Sequence, residues 1–160
     1  MTLHISSPAF APNGMMPALY TCEGENISPP LEWTAPPPET KSLVLIVDDP
    51  DAPDPAAPKM TWVHWVLYNL PPVAGMLPEG VQKKDLPAGT ITGVNDRHHA
   101  GYSGPCPPIG THRYFFKLYA IDTVLPDMGE ATKADVVKAM EGHILARSEI
   151  VGLYVRQSKS

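Results

Sequence analysis

Acidic side chains crowd the end of an apolar stretch in the first third of the chain. Residues 43–53 read LVLIVDDPDAP, with aspartates at 48, 49 and 51, another at 54, and prolines at 50, 53 and 55. Carboxylates in such a place suit three kinds of chemistry: ligands of a divalent metal, an acid or base for catalysis, or one wall of a binding pocket. A solvated turn is the fourth interpretation, and it requires no function.

Two histidines on strand-like segments are possible partners for these aspartates. His64 lies inside the aromatic segment WVHWVLY, and His112 opens the segment HRYFFKLY. A lone histidine in a strand is more often a hydrogen-bonded structural group than a functional one. Two histidines together with an aspartate cluster favour a functional site, although the sequence does not show that they are close in space.

A metal centre is the weaker interpretation. Asp49 and Asp51 form only a DxD pattern, and Pro50 between them restricts how the two carboxylates converge. The histidines are not paired at the i, i+4 spacing of a helical zinc motif. We therefore expect no metal and no cofactor.

Nucleophilic catalysis has little support in the motifs. GYSG at residues 101–104 lacks the spacing of a GxSxG elbow, and no strand–turn–helix pattern surrounds it. Cys106 is near His112 in sequence, but a Cys–His pair needs hydrogen-bond contact and a third group that orients the base. The Cys-Pro-Pro segment is more simply a rigid loop.

A binding pocket accounts for more of these residues. The segment GPCPPIG at residues 104–110 can form a stiff rim that loses little entropy when a ligand binds. In a strand, His112 and Tyr114 share one face, so both could line the pocket. Arg113 then points away, and Asp49 or Asp51 is a plausible carboxylate partner for its guanidinium.

The elements that position these residues are mostly strands. Strand-like stretches bounded by turn-forming residues cover 3–6, 31–34, 42–47, 61–70, 90–94, 113–121 and 149–155. The continuous apolar run at 43–47 predicts a buried central strand. One helix is clear: Thr132 can cap it with Asp135 three residues on, and Gly142 can end or kink it. We therefore expect a mainly antiparallel β-fold, a sandwich or barrel-like pair of sheets, with one or two late helices.

Composition limits the class of protein. The 160 residues fit one domain, with 43% hydrophobic content that argues for a folded core even though 20 residues are proline. The net charge of −5 and the lack of a basic patch argue against nucleic-acid binding. Neither a secretory signal nor an apolar run of membrane-spanning length is visible, so we expect a cytoplasmic protein without an integral membrane segment. Cys22 and Cys106 are expected to be thiols there, with a disulfide left open.

Four motifs resemble one known family. DPDAP at 49–53, HW at 64–65, NLPP at 69–72 and GPCPPIGTHRYFF at 104–116 resemble the phosphatidylethanolamine-binding protein family. CEGENISPPLEW at 22–33 and GHILARSEIVGLY at 142–154 are typical of its bacterial and archaeal branch, the Raf kinase inhibitor-like proteins. The resemblance covers nearly the whole chain in the right order.

This resemblance implies a fold and a site. The fold is a central antiparallel sheet packed on a smaller one, as a single domain over residues 1–160, with short helices near the C-terminus. The site is a small pocket for anions such as phosphate or a phosphorylated head group, with no metal, no cofactor and no established reaction. The implied ligand-binding residues are Asp49, Trp62, His64, Gly104, Pro107, Pro108, His112 and Tyr114, and the implied structural residues are Asp51, Pro53 and Arg113.

The resemblance also implies a non-enzymatic role. The protein would bind an anion and modulate or inhibit a protein partner such as a kinase or a protease, and homodimers are common in this branch. A hydrolase or isomerase that uses Asp49 with a histidine is the alternative. The loop from Pro108 to His112 is shorter than in eukaryotic members, and Cys106 replaces their usual glycine, so eukaryotic ligand preferences do not transfer directly.

One physical difficulty accompanies an anion pocket that contains Asp49. Two negative charges repel each other unless a protonated histidine, a proton on Asp49 or on the ligand, or backbone donors offset the repulsion. One hypothesis is that the Asp–His cluster shares protons, so that anion affinity rises as the pH falls through the histidine range. A zwitterionic head group, whose ammonium could meet the aspartate, is another solution.

Overall fold

The computed structural model describes residues 3–157, which contain two β-sheets and one α-helix joined by loops. Short 3-10 helices cover Ala18–Tyr20 and Lys83–Asp85. The helix and the strands, numbered in chain order, are α1 (Lys133–Met140), β1 (Ile5–Ser6), β2 (Gly14–Met15), β3 (Leu31–Trp33), β4 (Ser42–Ala52), β5 (Met60–Leu70), β6 (Gly75–Leu77), β7 (Ile91–Thr92), β8 (Thr111–Ile121) and β9 (Ile144–Val155).

The larger sheet has six strands in the order β2-β9-β8-β4-β5-β7, and the smaller has three in the order β1-β3-β6. Every neighbouring pair is antiparallel except the edge pair β2 and β9, which is parallel. The predicted mainly β fold, with a central sheet packed on a smaller one and a short helix near the C-terminus, is confirmed.

Strand β4 lies in the middle of the larger sheet, and both of its faces are buried. Leu43, Leu45 and Val47 pack in the core shared with the smaller sheet. Val44 and Ile46 pack on the opposite face, in a second core that includes side chains of α1. Burial on both faces removes the usual alternation of polar and apolar residues, which explains the continuous apolar run.

The predicted helix is present as α1, and its caps match the sequence signals. The Thr132 hydroxyl accepts a hydrogen bond from the Asp135 backbone N–H, and the Asp135 carboxylate accepts one from the Thr132 N–H. This reciprocal capping box satisfies two backbone donors that a helix N-terminus otherwise leaves unpaired. Gly142 follows the helix with φ of 80°, a conformation that glycine adopts without strain.

Strand β4 does not end before the aspartates, as the apolar run suggested, but continues through them to Ala52. Its pairing with β8 keeps register through Asp48, whereas its pairing with β5 shifts between Asp49 and Ala52. Pro50 lies in that shift, where the missing backbone N–H breaks no regular ladder. Because the strand continues, Asp48 and Asp49 project to opposite faces of the sheet.

Asp48 is a buried structural residue, so the interpretation of the aspartates as a solvated turn is wrong for this residue. Its side chain is 1% exposed, and Lys133 Nζ lies 2.6 Å from Oδ2. Lys117 Nζ, on β8, lies 3.1 Å from the same carboxylate. The carboxylate therefore ties the start of α1 to the larger sheet. Two cations offset the cost of burying one anion.

No helix within residues 3–157 is long and apolar enough to cross a membrane.

We predict that Asp48→Ala lowers the free energy of unfolding by about 1–3 kcal/mol, because it removes the shared partner of two lysines that keep partial access to water. Urea denaturation measures the change. Glu32→Ala, at an exposed position of β3, is the control and should change stability by less than about 0.5 kcal/mol. Equal effects of the two substitutions would show that the Asp48 pairs contribute nothing to stability.

Candidate binding pocket

A pocket of about 290 Å³ opens where the ends of β4, β5 and β8 meet the loop that precedes β8. It contains seven of the eight predicted ligand-binding residues and the predicted structural residue Pro53. The lining residues are Asp49, Ala52, Pro53, Met60, Trp62, His64, Arg97, Cys106, Pro107, Pro108, His112 and Tyr114.

Gly104 is the predicted pocket residue that lies elsewhere. Its backbone N–H donates to Asn26 Oδ1 at 2.8 Å, and a side chain at this position would collide with the Tyr20 carbonyl and the Asn26 side chain. Gly104 therefore lets the rim loop, residues 104–110, approach the segment at residues 20–26 closely, and it does not line this pocket.

A β-bulge brings His64 into the pocket. Val47 pairs with Trp65 and Asp48 pairs with Val63, so His64 is one extra residue on β5. Because of this insertion, the neighbours His64 and Trp65 face the same side of the sheet: His64 lines the pocket, and Trp65 belongs to the core between the sheets. Strict alternation would send one of them to the opposite face. Such bulges commonly re-aim a side chain at a site.

Asp49 and His112 form a buried pair at the base of the pocket. Asp49 Oδ2 lies 2.5 Å from His112 Nδ1, and the two side chains are 4% and 1% exposed. Asp49 Oδ1 accepts the backbone N–H of Asp51 at 2.7 Å. His112 Nε2 lies 2.9 Å from the Ile109 carbonyl and 3.1 Å from the Pro53 carbonyl.

The partners of His112 fix the number of protons in this pair. A carbonyl oxygen can only accept, so Nε2 must carry a proton. The short contact between Nδ1 and Oδ2 needs a second proton, which resides either on the imidazole or on the carboxyl. An imidazolium with a carboxylate and a neutral imidazole with a carboxylic acid have the same net charge of zero. The pair is therefore neutral wherever that proton resides.

His64 shows a different arrangement. Its Nδ1 lies 2.6 Å from the Ser103 carbonyl, so Nδ1 carries a proton and donates. No hydrogen bond within residues 3–157 uses Nε2, which is the ring nitrogen left for a ligand. Burial lowers the pKa of His64 from its usual 6.5 and outweighs the hydrogen bond to Ser103 and the charge of Asp49, which both raise it.

Tyr114 places a phenol between the two histidines. Its ring meets the His64 ring edge-on, with 5.2 Å between the ring centroids, and stacks on the His112 ring, with 6.2 Å between the centroids. Burial raises the pKa of Tyr114, with a smaller contribution from Asp49, so the hydroxyl stays protonated. This hydroxyl has no hydrogen-bond partner within the described chain and can donate to a ligand.

Asp51 and Arg113 brace the strand ends that carry the pocket. The Arg113 guanidinium donates to both Asp51 oxygens at 2.9 Å, and the Arg113 backbone N–H donates to Oδ2 at the same distance. Hydrogen bonds from Arg113 hold the pKa of Asp51 below its usual 3.8. Of the two possible partners for Arg113, Asp51 is therefore the one that pairs with it, and Asp49 pairs with His112 instead.

Arg97 is a lining residue that sequence reasoning missed. It lies in the loop NDRHH at residues 95–99, in which Asn95 is buried and residues 96–99 are exposed, and its guanidinium makes no ion pair within residues 3–157. It therefore brings an uncompensated positive charge to the pocket. The only feature of the sequence that could have indicated a role for Arg97 is the cluster of one arginine and two histidines in an otherwise acidic chain. Ala52 and Met60, which were also missed as lining residues, and Cys106 of the predicted rim add mainly apolar surface.

The cysteines form a disulfide, which corrects the expectation of two thiols. Cys22 and Cys106 are bonded, with 5.4 Å between their Cα atoms, and the Cys22 N–H donates to the Pro105 carbonyl at 3.0 Å. Their separation of 84 residues hid a proximity that only the folded loops create. The disulfide fixes the rim loop to the segment around Cys22, close to the contact between Gly104 and Asn26.

Within residues 3–157, no group of three or more histidine, cysteine, aspartate or glutamate side chains is arranged to hold a metal ion.

Comparison with known proteins identifies the family. The model of the phosphatidylethanolamine-binding protein family matches residues 6–155. A UPF0098 protein of Methanothermobacter thermautotrophicus is 51% identical over 155 residues, which cover 96% of this chain and 99% of the relative. A UPF0098 protein of Chlamydia trachomatis is 43% identical and covers 95% of this chain and 98% of its own. The chain therefore belongs to the phosphatidylethanolamine-binding protein family.

Solved structures agree with this assignment. The crystal structure of CT736 from Chlamydia trachomatis, a phosphatidylethanolamine-binding protein homolog, has a TM-score of 0.89 and 42% identity, and the match covers 98% of this chain and 99% of that one. Escherichia coli YbcL, described as a new member of the mammalian family, has a TM-score of 0.87 and 31% identity, with 98% and 100% covered.

We predict that an NMR titration of the His64 ring gives a midpoint below 6.5. The unfolded chain protonates this histidine first as the pH falls. The stabilisation that comes from a neutral His64 is therefore complete above 6.5 and is lost as the pH falls toward the folded-state value. A midpoint at or above 6.5 would show that burial does not dominate at this site.

Proposed function

We propose that the protein is a non-enzymatic binding protein whose pocket holds a small oxyanion, such as phosphate, a phosphorylated group or a phospholipid head group. The observation that carries the proposal is the hydrogen bonding of the Asp49–His112 pair, whose contacts require two protons and therefore a net charge of zero. A free carboxylate would repel an anion, whereas this one is matched by the proton that it shares with His112 and by the N–H of Asp51.

Two groups of the lining supply attraction for an anion. Arg97 places an unpaired positive charge at the pocket, and the Tyr114 hydroxyl offers a hydrogen-bond donor. Trp62, Pro107 and Pro108 add apolar walls, which lower the local dielectric and strengthen both interactions. The volume of about 290 Å³ suits a phosphoryl-sized group with a short extension rather than a pair of acyl chains.

A bound phosphorylated group connects the pocket to the proposed modulation of a protein partner. A kinase or protease that presents a phosphorylated or acidic side chain at the pocket mouth would be recognised by Arg97 and the rim loop together. The homodimer implied by the resemblance is part of the same proposal. Native mass spectrometry of protein purified from its own source would report the bound ligand and the oligomeric state together.

A hydrolase or isomerase is the second candidate, and one observation favours it. His64 is a neutral imidazole whose Nε2 is free at the pocket, as a general base must be. His112 is a poor base because both of its ring nitrogens are engaged. Turnover of a panel of esters and phosphoesters that His64→Ala abolishes would establish the enzyme. Absence of turnover with retained phosphate binding would support the binding protein.

We predict that Arg97→Gln weakens phosphate binding about 2- to 5-fold at low ionic strength, because it removes one partly solvated charge from the pocket. Isothermal titration calorimetry measures the change. Arg147→Gln is the matched control, since Arg147 is exposed on β9 outside this pocket and should leave the affinity unchanged. Equal weakening by both variants would indicate an effect of net charge rather than of a pocket residue.

We predict that Asp49→Asn changes phosphate affinity by less than about 3-fold. Asparagine can donate to an unprotonated Nδ1 of His112 and still accept the Asp51 N–H, so the pair stays neutral. If the native pair instead carried a net negative charge, the substitution would raise affinity about tenfold or more. Calorimetry of the two proteins at neutral pH decides between these outcomes, with thermal unfolding as the check on folding.

A further inference from the structure

The strongest constraint on the ligand comes from His64, and it deepens the function proposed above, on which it rests. The hydrogen bond from Nδ1 to the Ser103 carbonyl, at 2.6 Å, fixes which ring nitrogen carries the proton of the neutral imidazole. That carbonyl belongs to the loop that enters the pocket rim. Nε2 therefore presents a lone pair, and His64 acts as an acceptor toward the pocket unless the ring takes a second proton.

The surroundings of His64 oppose that second proton. The side chain is 5% exposed, so an imidazolium would lose most of its hydration. Arg97 faces the pocket with a positive charge that adds to this cost. Of the two nearby carboxylates, Asp49 shares a proton with His112, and Asp48 is paired with two lysines on the opposite face of the sheet. Tyr114, whose ring contacts His64, is an uncharged phenol.

An acceptor in an anion pocket selects the ligand. An anionic oxygen placed against the Nε2 lone pair makes no hydrogen bond and leaves two buried acceptors facing each other. A ligand group that carries its own O–H or N–H can instead donate to Nε2. Its remaining oxygens can accept from the Tyr114 hydroxyl and interact with the Arg97 charge. The lining thus offers complementary positions for an anionic oxygen and for a donor.

We propose that the pocket selects oxyanions that bring a hydrogen-bond donor of their own, and that His64 is the residue that recognises this donor. Hydrogen phosphate has such a group in its P–O–H, whereas sulfate at neutral pH has none. A head group with a primary ammonium next to its phosphodiester offers the donor as N–H. Both ligands combine an anionic oxygen with a hydrogen-bond donor, and the two groups are close enough together to fit in a pocket of this size.

Two matched pairs of probes test the proposal by calorimetry near neutral pH. The first pair is inorganic phosphate and sulfate, which have nearly the same shape but differ in the O–H. The second pair is the methyl phosphodiesters of ethanolamine and of choline; the choline ester has methyl groups in place of the ammonium N–H donors and carries no other O–H or N–H. The first pair represents free phosphate, and the second represents a lipid head group, so the pair that binds identifies the source.

In each pair that binds, we expect the donor-bearing member to bind about 10- to 100-fold more tightly. The other member binds more weakly because it leaves the buried acceptor His64 Nε2 without a donor. Equal affinity within a binding pair would overturn the proposal while leaving the anion pocket intact. Failure of all four probes to bind would overturn the proposed function itself.

A substitution isolates the role of His64. His64→Gln replaces the acceptor by an amide that can present either an acceptor or a donor, so the preference for phosphate over sulfate should fall to less than about 3-fold. His4→Gln, at an exposed position away from the pocket, should keep the full preference. An unchanged preference in His64→Gln would assign the discrimination to another residue and overturn the role of His64.

A spectroscopic readout on the unmodified protein keeps the test independent of how the variant folds. Nitrogen-15 NMR distinguishes a protonated ring nitrogen from an unprotonated one. On addition of phosphate, His64 Nε2 is expected to stay unprotonated and to shift in the direction of an accepted hydrogen bond. Formation of a doubly protonated His64 in the complex would overturn the proposal, because the ring would then be a donor to the anion.

Discussion

The hydrogen bond between Asp49 and His112 is the interaction on which the rest of the site depends. It joins β4 to β8 just beyond the last regular pair between these strands, Asp48 with Phe115. It also determines the charge of the pocket base, because the two carbonyls at Nε2 require a proton there. The Asp49 carboxylate would repel an anion if it were unpaired, but its negative charge is matched by the proton that it shares with His112.

Irregularities of the strands build the pocket around this pair. The insertion at His64 turns two successive side chains of β5 to one face, and the shift near Pro50 frees β4 from regular pairing with β5. Where the ladder with β8 ends, Asp51 takes over the Arg113 backbone N–H. A regular sheet would have aligned these strands but would not have directed Asp49, His64 and His112 into one cavity.

The rim loop is held by contacts that are distant in sequence. Cys106 is bonded to Cys22, and Gly104 packs against the segment around Asn26. Arg156, on the residues that follow β9, donates to the Pro107 carbonyl at 3.2 Å. Stiff prolines fixed from three sides lose little entropy when a ligand arrives, so the pocket is largely preformed.

Local signals in the sequence predicted the elements whose causes are local. The apolar run at 43–47 predicted the central strand, and the Thr132 to Asp135 spacing predicted the helix and its cap. The motifs of the resemblance named eight lining residues, Pro53 among them, because motif residues keep their places when a family keeps its fold.

What the sequence could not predict depends on partners far along the chain. The burial of Asp48 rests on Lys117 and Lys133, which are 69 and 85 residues away. A single extra residue at His64 leaves no trace in the hydrophobic pattern, and one arginine in a polar loop has no periodicity at all. The two- and three-residue strands β2 and β6 are too short for any period to be visible.

The central claim is that the Asp49–His112 pair is neutral, and locating its protons tests that claim most directly. Neutron diffraction of deuterated crystals at neutral pH would show them as density. One deuteron on His112 Nε2 and a second between Nδ1 and Asp49 Oδ2 are the expected result. A single deuteron on the pair, which leaves it with a net negative charge, would contradict the claim and with it the proposal that an anion can bind beside Asp49.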